Sequence, residues 1–269
     1  MIISIQKPFS INEIGKRTNN EDSIYPKNEN VTVSDRLFLV CDGVGGANKG
    51  EAASALACES IQTYFRTFLD IENDIDVDFI EKAIRYTEAR FDEYIQENPE
   101  SKGMATTLCL MYLSPNGVFL THAGDSRIYQ ERDGNIIFRT EDHSLVNSWV
   151  KSGKINEEEA RNHPRKNIIY RAIQGSEHPV EVDVIQLVDI QPGDSFLMFT
   201  DGINEAISDN EICEILSGKA SSESKMSEIK EICSGKARDN YSAFLIPIQD
   251  VQDSKTFKQF FLSFLYSFM

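Results

Sequence analysis

Residues 37–46 read Leu-Phe-Leu-Val-Cys-Asp-Gly-Val-Gly-Gly, and residues 196–202 read Phe-Leu-Met-Phe-Thr-Asp-Gly. Each is a short apolar run that ends on an Asp-Gly pair. Continuous runs of this kind belong to strands buried on both faces, so Asp42 and Asp201 fall at the rim of a core, where an unpartnered charge is expensive. A divalent cation is the least costly partner. A glycine next to the carboxylate lets the backbone turn sharply and exposes its own carbonyl to the same guest. Asp-Gly is also a common turn. The third such pair, Asp133-Gly134, has strand-like flanks at 128–130 and 136–138 and reads as a plain hairpin turn.

Working outward, a first strand is expected at Ile2 to Gln6, followed by a polar loop running from Gly15 to Asn30. After Asp42 the period changes. Ala57, Ile61, Tyr64, Phe65 and Phe68 recur at helical spacing between Gly50 and Leu69, and Ile80, Ile84, Thr87, Phe91, Tyr94 and Ile95 mark a second helix. Both have one apolar face and can cover a sheet. Strands are then expected at 105–113, 118–123, 127–130 and 136–139, with connections too short for crossover helices, so this part of the sheet must be antiparallel. Residues 144 to 175 are polar and mixed and read as a flap. Short helices are expected there at 145–151 and 156–161, the second opened by a capping box at Asn156. Strands at 180–188 and 195–200, helices at 209–216 and 222–234, and a last strand at 242–248 complete a domain spanning 1–248. Runs of strands interrupted by helix pairs indicate an α+β fold rather than Rossmann-like alternation.

The tail 249–269 is read separately. Its aromatic stretch Phe257 to Met269 is 13 residues long. As a helix it would span ~20 Å at 1.5 Å per residue, against ~30 Å of bilayer core. Docking on the domain or on a second copy is the favoured reading, with contact with a membrane surface and a truncated membrane span as the alternatives.

Composition limits the setting. The chain has 269 residues, 41% hydrophobic and 26% charged, with 27 Lys+Arg against 43 Asp+Glu, a net charge of −16. Nucleic acid is a poor partner for such a surface. Cys41, Cys58, Cys109, Cys213 and Cys233 are odd in number and lack Cys-x-x-Cys spacing, which suits reduced thiols in a cytoplasmic protein. The N-terminus shows no basic segment followed by a long apolar one, so no signal peptide is expected.

Among many acids, those at strand ends are the ones able to converge: Glu21-Asp22 after Arg17-Thr18-Asn19-Asn20, Asp42, Asp201, and Asp239-Asn240 before the last strand. Ala123-Gly124-Asp125-Ser126-Arg127 lies in a hairpin. In this order these segments resemble the metal-dependent serine/threonine protein phosphatases, the PPM or type 2C family, over residues 5 to 248. Glu141-Asp142-His143-Ser144-Leu145-Val146 and Tyr170-Arg171-Ala172-Ile173-Gln174-Gly175 resemble its bacterial branch.

The resemblance implies a four-layer αββα sandwich, two mainly antiparallel β-sheets flanked by helix pairs. It implies two or three Mn²⁺ or Mg²⁺ ions, hard cations suited to oxygen ligands. Asp42 would bridge two ions with the Gly43 carbonyl on one, Asp201 and Asp239 would complete the other, and Glu21 and Asp22 would act through water. Gly202 would mainly permit a turn. Asp125 would serve a third ion with Asp201, or else cap its own turn. Arg17 would clamp the phosphate, or else pair with Glu21. A hydroxide between the ions would attack phosphorus in line, without a phospho-enzyme. Substrates would be phosphoproteins, a bacterial serine/threonine kinase is a partner by analogy only, and a monomer is expected. Val44 departs from many eukaryotic members, which carry histidine there as a proton donor; a water or His143 is left for that role. His143 itself reads first as a structural hydrogen-bonder. The competing readings are a pseudophosphatase that binds without turnover and an unrelated two-metal nuclease, the latter disfavoured by charge.

Overall fold

A computed structural model describes residues 1–45, 49–69 and 75–252. Two antiparallel sheets face each other. One is built from β1 (Ile2–Ile5), β2 (Phe9–Glu13), β8 (Arg127–Arg132), β9 (Asn135–Arg139), β11 (Ser195–Phe199) and β12 (Tyr241–Gln252). The other holds β3 (Asp22–Tyr25), β4 (Leu37–Val44), β5 (Ala105–Thr106), β6 (Leu108–Ser114), β7 (Gly117–Ala123) and β10 (Asp183–Leu187). The helices are α1 (Lys49–Phe68), α2 (Val77–Glu97), α3 (Leu145–Lys151), α4 (Glu157–Arg161), α5 (Asp201–Ala206), α6 (Asp209–Ser217) and α7 (Ser222–Lys236).

Period-two alternation sorts the core into three layers of contact. Phe38, Val40, Cys109 and Met111 point between the sheets, where they meet Phe196, Met198, Phe244 and Ile246. Their neighbours Leu39, Cys41, Leu108 and Leu110 point the other way and pack under α1 and α2 through Ala57, Ile61, Ile80, Ile84 and Phe91. On the opposite face Leu197, Phe199, Ala243 and Leu245 are covered by Ile203, Ile212, Ile215, Met226 and Ile229 of α5, α6 and α7. The four-layer αββα sandwich is therefore present. Asp133 (φ 49°) and Gly134 (φ 82°) form the left-handed two-residue turn between β8 and β9, as a plain hairpin requires.

Several expectations change. The stretch read as a polar loop from Gly15 to Asn30 contains β3, and β2 precedes it unannounced. Both are only four or five residues long, with polar residues at half or more of their positions. Their partners are supplied from afar, β12 for β2 and β4 for β3. The strand expected over 105–113 is interrupted at Thr107, between β5 and β6. The last strand runs to Gln252 rather than Ile248, because β1 pairs with its far half. Neither glycine of the two opening pairs sits in a turn. Gly43 lies within β4, and a Cβ there would fall 2.0 Å from the Gly50 carbonyl oxygen of α1. Gly202 lies in α5, where a Cβ would fall 2.0 Å from the Asn240 carbonyl oxygen. Close approach of two backbones is the requirement at both. The aromatic tail from 257 lies outside the described residues. Among the described residues no helix is long and apolar enough to cross a membrane.

Candidate metal centre

Strand register brings the predicted acids to one end of the sandwich. Asp22 on β3 is the direct cross-strand partner of Asp42 on β4. Phe199, two residues before Asp201, pairs with Arg127 on one side and Ala243 on the other, which carries the Asp125 turn and the Asp239-Asn240 segment to the same edge. Like charges directly opposite each other in a sheet are unfavourable. Here five carboxylates are gathered without a matching number of cations.

The proton affinities record this crowding. Burial, reinforced by Asp201 and Asp239, raises Asp22 to about 7. Burial and then Asp239 raise Asp201 to about 6. Asp42 is pushed well above the carboxylate range by burial and by Asp22, Asp201, Asp125 and Asp239 in turn. Asp125 rises for the same first reason, with Asp201 and Asp142 adding to it. Burial also raises Glu21, against the pull of Arg17.

Hydrogen bonds hold the acids from behind. Thr200 Oγ1 donates to Asp22 Oδ2 at 2.9 Å, whereas the buried Asp22 Oδ1 has no partner among the described residues. The Asp42 carbonyl accepts from Thr107 N at 2.8 Å and from Thr106 Oγ1 at 2.9 Å. Gly43 N donates to the Glu21 carbonyl at 3.0 Å, and Ser54 Oγ of α1 donates to the same oxygen. Asn240 does more than precede a strand. Its Oδ1 accepts from Glu21 N at 2.9 Å, and its Nδ2 donates to the Ile14 and Asn19 carbonyls at 2.8 and 2.9 Å, so it organises the whole 14–21 loop. Asn240 was marked in the sequence by its place beside Asp239, whereas Thr106, Thr107 and Ser54 carried no signal as site residues.

Arg17 pairs with Asp239, Nη2 to Oδ2 at 2.6 Å, rather than with Glu21. Half of its side chain remains exposed, which leaves the guanidinium facing outward at the rim. An orphaned buried carboxylate oxygen, acids raised by one another and an all-oxygen donor set fit hard divalent ions.

A second cluster lies behind the Asp125 turn. His143 Nδ1 accepts from Gly124 N at 3.2 Å, and its Nε2 is 3.1 Å from Asp183 Oδ2. His122 Nε2 faces the Glu141 carbonyl at 3.0 Å. Arg171 Nη1 lies 2.8 Å from Asp183 Oδ1 and 3.0 Å from His143 Nε2. His122, His143 and Asp183 are near enough to suggest a metal. The imidazoles, however, stack with centroids 4.5 Å apart and planes 12° from parallel. Their in-plane lone pairs lie in two separate planes that no single ion can share, and Arg171 already supplies the positive charge. Accepting at Nδ1 fixes His143 as the neutral Nε2–H form. Burial first, then His122 and Arg171, lowers its pKa. The structural reading of His143 holds, and with both nitrogens engaged it is no proton donor to a leaving group.

Comparison with known proteins follows the same lines. Residues 12–239 match the family model "Protein phosphatase 2C". A putative protein phosphatase 2C-type from Streptococcus pyogenes is 35% identical over 224 residues, covering 81% of this chain and 86% of that one. The serine/threonine protein phosphatase PstP of Mycobacterium tuberculosis is 32% identical over 243 residues; these cover 89% of this chain and 44% of PstP. A crystal structure of the catalytic domain of PstP in complex with two manganese ions superposes with a TM-score of 0.76 at 27% identity, covering 93% of this chain and all of that one.

Proposed function

The chain belongs to the protein phosphatase 2C family, and from that premise we propose that it is a metal-dependent phosphatase hydrolysing phosphoserine and phosphothreonine in proteins. The observation that carries the reading is the meeting of Asp22, Asp42, Asp201 and Asp239 at one sandwich end with an orphaned carboxylate oxygen among them. Two Mn²⁺ or Mg²⁺ ions held there would neutralise the phosphoryl charge and make water nucleophilic at neutral pH.

Each residue then has its own task. Asp42, centred among the other acids, would serve both ions, with the Gly43 carbonyl as a further ligand of one. Asp201 and Asp239 would hold the other, and Glu21 and Asp22 would act through water. Asp125, on the turn that faces Asp201, would serve a third. Arg17 exchanges its bond to Asp239 for the phosphate oxygens, which its planar fork can grip in two places. Because Asp239 is both Arg17's partner and a proposed ligand, metal binding and release of Arg17 toward substrate are linked. The substrate is a phosphoprotein, brought to the open rim as a monomeric, cytoplasmic enzyme would meet it, and a serine/threonine kinase acting on the same proteins is its expected counterpart. Hydrolysis of phosphothreonine peptides that appears with Mn²⁺ and is abolished in Asp42→Asn supports the proposal. Metal binding without turnover would point to a pseudophosphatase instead.

A further inference from the structure

Asp42 sits where its strand loses regular partners. The β4–β6 ladder stops at Val40 and Cys109, and β4–β5 pairing resumes at Gly43 and Thr106. Thr107 stands opposite Asp42 in that gap with the register unbroken, buried at 1% exposure and belonging to neither strand. An unpaired buried backbone N–H is costly, and the Asp42 N–H falls at this break. The Thr107 side chain meets it: Asp42 N donates to Thr107 Oγ1 at 2.9 Å, while Thr107 N donates back to the Asp42 carbonyl. Thr107 Oγ1 also shares a hydrogen bond with Ser126 Oγ, 2.8 Å away and also buried. Ser126 follows Asp125. The Thr107 methyl lies where a Cβ on Gly124 would be, only 2.6 Å off, and Gly124 has the positive φ of 103° that this turn needs.

We infer that Thr107 is a positioning residue, whose hydroxyl joins the Asp42 backbone to the Gly124–Ser126 turn and so holds two carboxylates of the metal centre, Asp42 and Asp125, in one register. The inference rests on the metal-centre reading above and adds a residue that touches neither metal nor substrate. The break in the ladder is what engages the hydroxyl: in an uninterrupted ladder the Asp42 N–H would bond to a backbone carbonyl, and no side chain could tie it to the turn. Both Thr107 groups are needed, the hydroxyl for the link and the methyl for contact with Gly124. The hydroxyl alone carries the coupling.

The test is calorimetric titration of Mn²⁺ into the full chain for wild type, Thr107→Val, Thr107→Ser and Ser126→Ala, with urea unfolding measured alongside. Thr107→Val keeps the shape and loses the hydroxyl; its Mn²⁺ affinity is expected to fall roughly tenfold or more, in line with a lost outer-shell partner. Thr107→Ser restores affinity to within about threefold of wild type by the same criterion, even where its lost methyl lowers stability. Ser126→Ala keeps the Asp42 bond but cuts the link to the turn, and should weaken binding by about threefold or more. If Thr107→Val does not fold, Ser126→Ala decides. Wild-type Mn²⁺ affinity in a folded Thr107→Val, or in Ser126→Ala in its place, overturns the inference while leaving the phosphatase reading intact. Failure of the wild type to bind Mn²⁺ at all overturns both.

Discussion

The acid cluster around Asp42 and the cluster of His122, His143, Asp183 and Arg171 meet at Gly124, and they solve the same problem in opposite ways. Both bring titratable groups out of water. The second carries its own cation: Arg171 binds Asp183 and, with Glu181, closes the network internally. In the first, Arg17 bonds Asp239 at the rim and Lys166 and Arg127 act on Asp201 and Asp125 through space, too little to stop its acids rising in pKa against one another. A polar cluster with an internal counter-charge is a strut, and one without it is built for a guest. Proximity of ligand-type residues does not separate the two, because the tighter cluster is the strut. Net charge balance and lone-pair direction do.

The largest expected break in the comparison is Asp42→Asn. Activity should fall by roughly three orders of magnitude, about 4 kcal/mol of barrier, in a steady-state assay with phosphothreonine peptide and Mn²⁺. The metal-free protein should at the same time gain thermal stability, since one member of a mutually repelling set is removed. An equal loss from Asp183→Asn would erase the distinction between the clusters.

Next in size is Arg17→Lys. Loss of the two-pronged grip should lower kcat/KM by about 10²-fold, with Mn²⁺ affinity in calorimetry changed little. A large loss of Mn²⁺ binding would show that Arg17 acts on the ligands and not on phosphate.

Proton linkage gives the third effect. Asp22 and Asp201 bind protons more tightly folded, near 7 and 6, than they do unfolded, near 4. Between about pH 4 and 7 the native state therefore holds more protons, and this contribution to stability falls as pH rises. Urea unfolding of the metal-free protein should show that decline relative to an Asp22→Asn/Asp201→Asn variant, and saturating Mn²⁺ should cancel it. A metal-free wild type whose pH dependence parallels the variant contradicts the pKa assignment.

The smallest effect is at His143. His143→Ala removes a neutral strut and leaves the Gly124 N–H unpaired, at a cost of about 1–3 kcal/mol in urea unfolding. The pH dependence of kcat between 5 and 8 should keep its shape. Loss of an acid limb in that profile would make His143 a proton donor after all.

Much of this is legible in the amino-acid sequence. Period and turn residues placed α1, α2, the β6–β9 meander and the capping box at Asn156 to within three residues, because each is long or chemically punctuated. The two Asp-Gly pairs were found for a sound reason, charge at the rim of a core. Their glycines were misread, since the backbones that crowd Gly43 and Gly202 come from Gly50 and Asn240, contacts visible only after folding. β2 and β3 were missed because short polar strands have too little pattern to stand out, yet β3 is what sets Asp22 opposite Asp42. Thr107 gave no signal either: nothing in Met-Ala-Thr-Thr-Leu distinguishes a break in the ladder from a continuous strand.

The most direct measurement is a crystal of the full chain grown with Mn²⁺, with anomalous scattering collected at the manganese edge. At least two peaks are expected, one on each side of the Asp42 carboxylate, toward Gly43 and toward Asp201 and Asp239, and none at His122, His143 and Asp183. A peak between the two histidines, or an empty Asp42 site at saturating Mn²⁺, would contradict the account.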